Sequence, residues 1–388
     1  MAEISILFSI SVILFFSPFL SRYLRIPTPA IEIILGTLAA YFGFVADYYL
    51  FELIAHVGFF YLMFMAGTEV DLKMFINIDK NLLKKGVLYL IFLYIISTIS
   101  VLYLDLNKIL IIIVPTLSVG LILALYKDYG KNADWLNLSM IVGSMGELVS
   151  IALLTFTGAA LEFGIGIELY KSVAYLIILL GGIVALFKIL HVLFWWYPEI
   201  KTYLMPHLDK EEQDLRLSMA LFFLMIGLMM WLHIEIAFGA FIAGIFIATF
   251  FEHKEDLPHK ISSFGFGFLV PIFFIYIGST FNILTLGTPG LVATAFQIVT
   301  VMIVARIISS LVFVKVLGVI NMFRFALSQS MPLTLMIAVA TIAYDSHSIG
   351  NHLYSAMILA ALFEVIIAML SIKILGFFHN YYKSKLNP

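Results

Sequence analysis

The chain has 388 residues, of which 63% are hydrophobic and only 12% are Asp, Glu, Lys or Arg. A water-soluble domain carries about 25% charged residues, so this composition predicts a protein whose surface faces lipid. The net charge of −2 lacks the basic footprint of a nucleic-acid-binding protein, and the absence of cysteine excludes disulfides, thiolate catalysis and Cys-based zinc sites.

The first apolar run covers residues 4–20 and has the length of a membrane span or the core of a secretory signal. A signal places its positive charges before the apolar run and small residues after it. Here Arg22 and Arg25 follow the run, so we predict a retained first span.

Thirteen membrane spans are predicted along the chain. Crossing the hydrocarbon takes roughly 20 mostly apolar residues, and turn residues and charge clusters mark the breaks. The predicted spans are 4–20, 29–45, 51–68, 85–104, 108–126, 135–158, 170–192, 214–232, 236–252, 262–280, 289–314, 321–344 and 352–376. A polar connection from Tyr197 to Asp214 separates two halves of the chain.

Basic residues divide sharply between alternate loops. One side holds nearly all of them, the other holds only Lys108 and Lys171, and Arg306 falls within a span. Cytoplasmic loops are enriched in Lys and Arg, so the N-terminus is predicted outside the cell and the C-terminus in the cytoplasm of a cell-membrane protein.

Two pairs of segments resemble each other across the halves. Residues 59–68 are similar to 272–280, and residues 34–40 are similar to 242–248. The pattern predicts a single transmembrane transporter domain over 1–388, with inverted six-helix repeats at about 1–158 and 214–376 and a linker helix at about 170–192. Chance similarity between apolar helices is the alternative.

Glu147 is the principal candidate for chemistry. It lies in the middle of the sixth span among Gly143, Ser144 and Gly146, which allow close approach of another backbone or an ion. A carboxylate at that depth must be protonated, paired or bound to a cation, and exchange between such states is what a proton-coupled carrier requires. A permanently protonated, hydrogen-bonded side chain is the structural alternative.

Arg306 and Glu364 are candidates for charge compensation. Arg306 remains charged within the eleventh span and therefore needs a carboxylate or carbonyl partners. Glu364 in the last span is a candidate partner, a second ion ligand or a protonated packing residue. Glu32, close to Pro27 and Pro29, fits a snorkelling or hydrogen-bonding role better than transport.

Two spans at corresponding positions of the halves carry helix-breaking residues. These are Pro115 in the fifth span, and Gln329 and Pro332 in the twelfth. Paired interruptions at membrane depth indicate an ion site, because unwound backbone exposes carbonyl groups. An ordinary proline kink is the alternative. We assign Glu147, Thr116, Ser118 and Ser144 as candidate ion- and proton-binding residues, with Glu147 as the ligand of Na⁺ or K⁺.

Catalytic motifs are missing from the sequence. It contains no phosphate loop, dinucleotide fingerprint or nucleophile constellation. We therefore predict a transporter and not an enzyme, with no cofactor beyond the transported cation and proton, and with the lipid bilayer as its surroundings.

Several motifs resemble those of the Kef/Nap branch of the monovalent cation:proton antiporters. This branch is known as the second cation:proton antiporter family. The region around Arg25-Ile26-Pro27 is similar to that family's "gIPxxxGxxxxG", and residues 64–72 to "FxxGxExDL". Residues 238–244 are similar to "lGAFlAG", and residues 271–279 to "PxFFxxxG". The likeness covers nearly the whole membrane domain.

The resemblance implies a thirteen-helix, all-α fold with a dimerisation domain and a core domain that contains two crossed, unwound helices. It also implies a homodimer, a role in pH homeostasis and elevator-like motion of the core. The shared proton and cation site falls on Glu147, and the basic position of span 11 falls on Arg306.

Three departures from the family pattern stand out. The paired polar or acidic residues of span 6 are here Gly146 and Glu147, and the "RGE" of span 12 is here Ser330-Met331-Pro332. No cytoplasmic nucleotide-binding domain is expected. A single titrating carboxylate predicts electroneutral exchange of one cation for one proton. The alternatives are a sodium-coupled organic anion symporter of related fold, and a non-transporting membrane sensor or subunit.

Overall fold

The computed structural model of the protein describes residues 2–24, 26–45, 48–68, 80–119, 122, 125, 133–163, separate positions between 174 and 200, 212–232, 236–251, 254, 256–281 and 283–386. Regular structure in these ranges is helical. The helices are α1 (Ala2–Leu24), α2 (Thr28–Tyr41), α3 (Tyr49–Thr68), α4 (Lys80–Tyr103), α5 (Leu110–Ile113), α6 (Asp134–Phe163), α7 (Gln213–Leu232), α8 (Ile236–Phe250), α9 (Leu257–Phe264), α10 (Val270–Thr280), α11 (Leu291–Ser310), α12 (Val314–Ser328), α13 (Leu333–Asp345) and α14 (Asn351–Leu386).

Eight helical stretches in the described part of the chain are long and apolar enough to cross a membrane. Three shorter apolar helices, in α2, α8 and α13, accompany them. The prediction of an all-α polytopic membrane protein is therefore confirmed. A π-helical segment, Gly265–Leu269, joins α9 to α10, so one continuous helical stretch covers the predicted tenth span.

Several predicted spans differ from the helices in their limits. Short 3₁₀ turns and α12 continue directly from α11, with a break in helical geometry only at Gly318. α14 runs ten residues beyond the predicted end at residue 376. The predicted linker span, 170–192, and residues 69–72 of the motif at 64–72 lie largely outside the described residues.

The chain forms two compact units. The first unit comprises Met1–Lys73 and Thr155–Ile283, and the second comprises Met74–Leu154 and Leu284–Pro388. Each unit therefore combines segments from both halves of the sequence.

The first unit is held together by glycine contacts between helix backbones. A methyl group on any of four glycines would overlap a carbonyl oxygen of the neighbouring helix, so only glycine allows these helices to approach so closely. The contacts are Gly36 on Ile275, Gly278 on Ile33, Gly67 on Phe241 and Gly244 on Phe64. We call these four contacts the glycine seams, one between α2 and α10 and one between α3 and α8.

Glu32 lies on α2 within the first unit. It is 3% exposed, and the Ser17 hydroxyl of α1 donates to its Oε1 atom at 3.2 Å. The hydrogen-bonding alternative for Glu32 is therefore the one that the structure shows, and the snorkelling alternative is wrong because the side chain is enclosed.

Buried polar side chains concentrate in the second unit. The α11 helix packs against α4 and α14, and it brings the fully buried Arg306 into the interior. The ring of Tyr89 of α4 contacts the rings of Phe313 and Phe325, which also contact each other. Because hydrocarbon cannot satisfy polar groups, their position marks where the unit carries its chemistry.

Candidate ion-binding site

Glu147 lies in α6 with 1% of its surface exposed. The Ser118 hydroxyl donates to Oε1 at 3.0 Å, and the Val119 N–H donates to Oε2 at 3.3 Å. Both oxygens of the carboxylate are thus acceptors of hydrogen bonds from one short segment, residues 114–119. An ionised carboxylate is satisfied by such donors, and its remaining lone pairs stay available to a cation.

The segment 114–119 is unwound because Pro115 stops the helix. α5 ends at Ile113, since proline has no N–H and its ring clashes with the preceding turn. The freed backbone groups find partners elsewhere in the unit. The Leu117 N–H donates to the Ser150 hydroxyl at 3.1 Å, and the Thr116 carbonyl accepts from Arg306. Unwound backbone is tolerated at this depth because protein covers it.

Arg306 connects the unwound segment to α14. Its Nη2 donates to the Thr116 carbonyl at 2.7 Å, and its Nη1 donates to Oε1 of Glu364 at 3.2 Å. Both side chains are almost completely buried. Among the alternatives left open by the sequence for Glu364, the structure shows the ion-pair partner. Among the described contacts, the positive charge is thereby engaged by Glu364 and the Thr116 carbonyl, and not by Glu147.

The second interruption also lies against α6. α12 ends at Ser328, Gln329 caps it, and Pro332 precedes the first turn of α13. The Gln329 side-chain amide donates from Nε2 to the Ser139 carbonyl at 2.8 Å, and the hydroxyls of Ser139 and Ser328 are 2.7 Å apart. Both unwound segments therefore contact the same helix, one at Glu147 and one about two turns before it.

Thr116 and Ser144 have less direct positions than Ser118. The Thr116 hydroxyl donates to the Ile113 carbonyl at 2.7 Å, so its backbone carbonyl is the group that reaches Arg306. Ser144 is buried three residues before Glu147 on α6. The structure thus brings Glu147, Ser118, Thr116 and Arg306 into one cluster and pairs Arg306 with Glu364.

Gly146 explains why a second acid is missing beside Glu147. A methyl group at Gly146 would overlap the Leu117 side chain, with only 2.9 Å to its Cβ atom. The unwound segment therefore packs directly on the α6 backbone at this position, and an aspartate or asparagine would displace it.

Ser139, Ser150 and Arg324 are polar contributors that the sequence analysis did not single out. Ser139, Gly143, Glu147 and Ser150 recur at helical spacing on α6, and this stripe of small and polar residues was the available signal. Arg324 lies near the start of the predicted twelfth span, is 7% exposed and donates to the Leu375 carbonyl of α14 at 3.2 Å.

The described residues contain no group of three or more His, Cys, Asp or Glu that could hold a metal ion. The cluster around Glu147 instead offers one carboxylate, hydroxyls and backbone carbonyls. These are oxygen ligands of the kind that hard monovalent cations accept. The fold and this site define a multi-pass membrane protein of the ion-transporter class.

The chain belongs to the sodium/hydrogen exchanger family. The family described as "Sodium/hydrogen exchanger, transmembrane" matches residues 11–378. This match confirms the resemblance to cation:proton antiporters that the motifs indicated.

Relatives and a solved structure agree with this assignment. The chain is 23% identical to YjbQ of Bacillus subtilis strain 168, which bears the name of a Na(+)/H(+) antiporter; the match covers 93% of the chain and 61% of YjbQ. It is 22% identical to the ammonium/H(+) antiporter subunit AmhT of Alkalihalophilus pseudofirmus, over 70% of the chain and 69% of AmhT. The fold is that of the sodium proton antiporter MjNhaP1 from Methanocaldococcus jannaschii, with a TM-score of 0.66, 16% identity and coverage of 97% and 98% of the two chains.

Proposed function

We propose that the protein exchanges a monovalent cation, Na⁺ or K⁺, for a proton across the cell membrane. The observation that carries the proposal is the Glu147 carboxylate, which is buried in a membrane helix and held by two donors of an unwound segment. Such a group can be protonated or can bind a cation, but it has little room for both. The names of YjbQ and AmhT support exchange against protons, with sodium and ammonium as the named cations.

We further propose a stoichiometry of one cation for one proton. Net charge movement requires a second titrating group at the site. Gly146 leaves no space for one beside Glu147, and Arg306 remains charged and engaged with Glu364. Glu147 can then exchange one proton for one cation, so the charge of the site is the same in both loaded states.

We also propose an elevator-type motion, which the distribution of polar groups supports. The contacts around Glu147 all lie in the second unit, whereas the first unit contains the glycine seams. We propose that the second unit carries the ion and that the first unit provides the fixed part of a homodimer, with the N-terminus outside and the C-terminus in the cytoplasm.

The glycine seams also support the inverted repeats. When segment 34–40 is aligned with segment 242–248, Gly36 matches Gly244. Gly67 and Gly278 fall within the other pair of matched segments. Exchanging the repeats therefore converts one seam into the other: the α2–α10 contact corresponds to the α8–α3 contact. We propose that this internal symmetry relates residues about 1–158 to residues about 214–376, with a linker helix at about 170–192.

The test of exchange uses purified protein in liposomes with a pH-sensitive dye inside. Addition of Na⁺ or K⁺, but not choline, should move protons outward in exchange, and Glu147→Gln protein should move none. An imposed membrane potential at zero cation gradient should leave the internal pH unchanged. A cation-dependent proton flux driven by the potential would overturn the one-to-one stoichiometry. Absence of any cation-dependent flux in the native protein would overturn the exchange function.

A further inference from the structure

Gln329 presents one side-chain oxygen in a fixed direction. The residue is 1% exposed, and its Nε2 donates to the Ser139 carbonyl at 2.8 Å. Only the nitrogen of an amide can donate, so this bond determines which end of the side chain is the oxygen. The hydroxyls of Ser139 and Ser328 make a second contact between α6 and the end of α12.

The Gln329 Oε1 atom is buried and has no hydrogen-bond partner among the residues that the structure describes. An enclosed acceptor without a donor destabilises the fold, and native proteins rarely retain one without a reason. Within the described residues, the Ser139 hydroxyl and the Gln329 nitrogen have partners, whereas this oxygen has none; Arg306 Nε and Glu364 Oε2 of the same unit also lack one.

This oxygen points to the stretch of α6 that precedes Glu147. It lies 3.4 Å from the position that a Cβ atom on Gly143 would occupy, so the absence of a side chain at Gly143 lets it lie close to the α6 backbone. Glu147 is the next turn, about 6 Å along the axis, and side chains on a helix lean toward its N-terminus. The carboxylate therefore leans toward the turn that contains Gly143.

Val119 lies beside both groups. Its N–H donates to Glu147 at 3.3 Å, and its Cγ1 atom lies 3.0 Å from the same Cβ position on Gly143. The carboxylate of Glu147 and the oxygen of Gln329 thus both border the turn of α6 that contains Gly143, the first from α6 itself and the second from the segment that follows α12.

We propose that Gln329 Oε1 is a neutral ligand of the transported cation and sets, together with Glu147, which alkali cation is accepted. The proposal rests on the exchange function proposed above. An amide oxygen binds a hard cation but does not take up a proton at physiological pH. Gln329 therefore contributes to the affinity for the cation without changing the proton that Glu147 exchanges.

The test compares Gln329→Leu with native protein in liposomes. The substitution keeps approximate volume and removes the oxygen. The KM for the cation should rise roughly tenfold, as expected for the loss of one good ligand. The rate at saturating cation and the pH dependence of exchange should change little. Gln297→Leu is the matched control, since Gln297 is exposed on α11 of the same unit, and its KM should match the native value.

A second variant keeps the amide in place. Gly143→Ala would put a methyl group 3.4 Å from Gln329 Oε1 and 3.0 Å from both Val119 Cγ1 and Ile122 Cδ1. The methyl group should narrow the space between Gln329 and Val119. The KM for Na⁺, the smaller cation, should therefore fall relative to the KM for K⁺.

A native-like KM in Gln329→Leu, or a lowered Tm and rate without a change in KM, would show that Gln329 has only a structural role. If Gln329→Leu does not fold, an unchanged Na⁺ to K⁺ preference in Gly143→Ala overturns the proposal. Loss of exchange in the native protein would instead contradict the proposed function itself.

Discussion

Helices of the first unit meet through their backbones, whereas helices of the second unit meet through polar side chains. In the first unit Gly36, Gly67, Gly244 and Gly278 let neighbouring helices touch carbonyl groups directly. In the second unit, hydrogen bonds and an ion pair join Arg306 to Glu364 and to the first unwound segment, and a hydrogen bond joins Gln329 of the second unwound segment to Ser139 of α6. Both arrangements satisfy the requirement that little polar surface faces lipid.

Two of the buried glutamates, Glu32 and Glu147, sharpen this difference. Glu32 accepts one hydroxyl hydrogen bond from the intact helix α1. Glu147 accepts a hydroxyl and a backbone N–H from a segment that proline has unwound. Burial of a carboxylate is therefore common to both units, and the unwound backbone beside it is particular to the second. This combination is what we associate with ion exchange.

The largest expected effect separates these two glutamates. Glu147→Gln should abolish cation-dependent proton movement in liposomes, because an amide keeps the shape but cannot exchange a proton. Glu32→Gln is the matched control and should retain exchange near the native rate. Equal loss in both variants would show that transport depends on buried glutamates in general, and near-native exchange in Glu147→Gln would refute the assignment.

The next largest effect concerns the stability of the second unit. Arg306→Ala leaves the Glu364 carboxylate buried without its partner, and breaking such a pair costs about 3–5 kcal/mol. We expect a large fall in the melting temperature of the purified protein. Glu364→Gln should have a smaller effect, because the amide oxygen can still accept from Arg306. Arg324→Ala is the comparison for a buried arginine that donates to Asn321 and to the Leu375 carbonyl. An unchanged melting temperature of Arg306→Ala would show that the ion pair does not stabilise the fold.

A smaller effect is expected at the glycine seams. Gly36→Ala and Gly244→Ala each force a methyl group onto a carbonyl oxygen, and overpacking of this kind costs about 1–3 kcal/mol. Melting temperatures should fall by similar amounts in the two variants if the seams are equivalent. Gly227→Ala on α7 meets nothing within 4 Å and should melt like the native protein. A fall in only one seam variant would contradict the proposed internal symmetry.

The sequence predicted the helical membrane fold and the two interrupted helices, because apolar length and proline act locally. Pro115 and Pro332 lie at helix ends in the structure. The partner of Arg306 remained open among several alternatives, since helical periodicity does not say which helices become neighbours. The position of Gln329 on Ser139 and the role of Gly146 against Leu117 depend on contacts between distant segments, which a single sequence does not reveal.

The central claim is that one carboxylate, Glu147, is shared by the proton and the cation. Calorimetric titration of the purified protein with Na⁺ or K⁺, repeated in buffers of different ionisation enthalpy, measures the protons released for each cation bound. Because binding to a shared ligand displaces its proton, we expect release of about one proton per cation at a pH where the site is protonated. We expect no release from Glu147→Gln protein. Cation binding without proton release in the native protein, or undiminished release in Glu147→Gln, would show that the proton and the cation do not share Glu147.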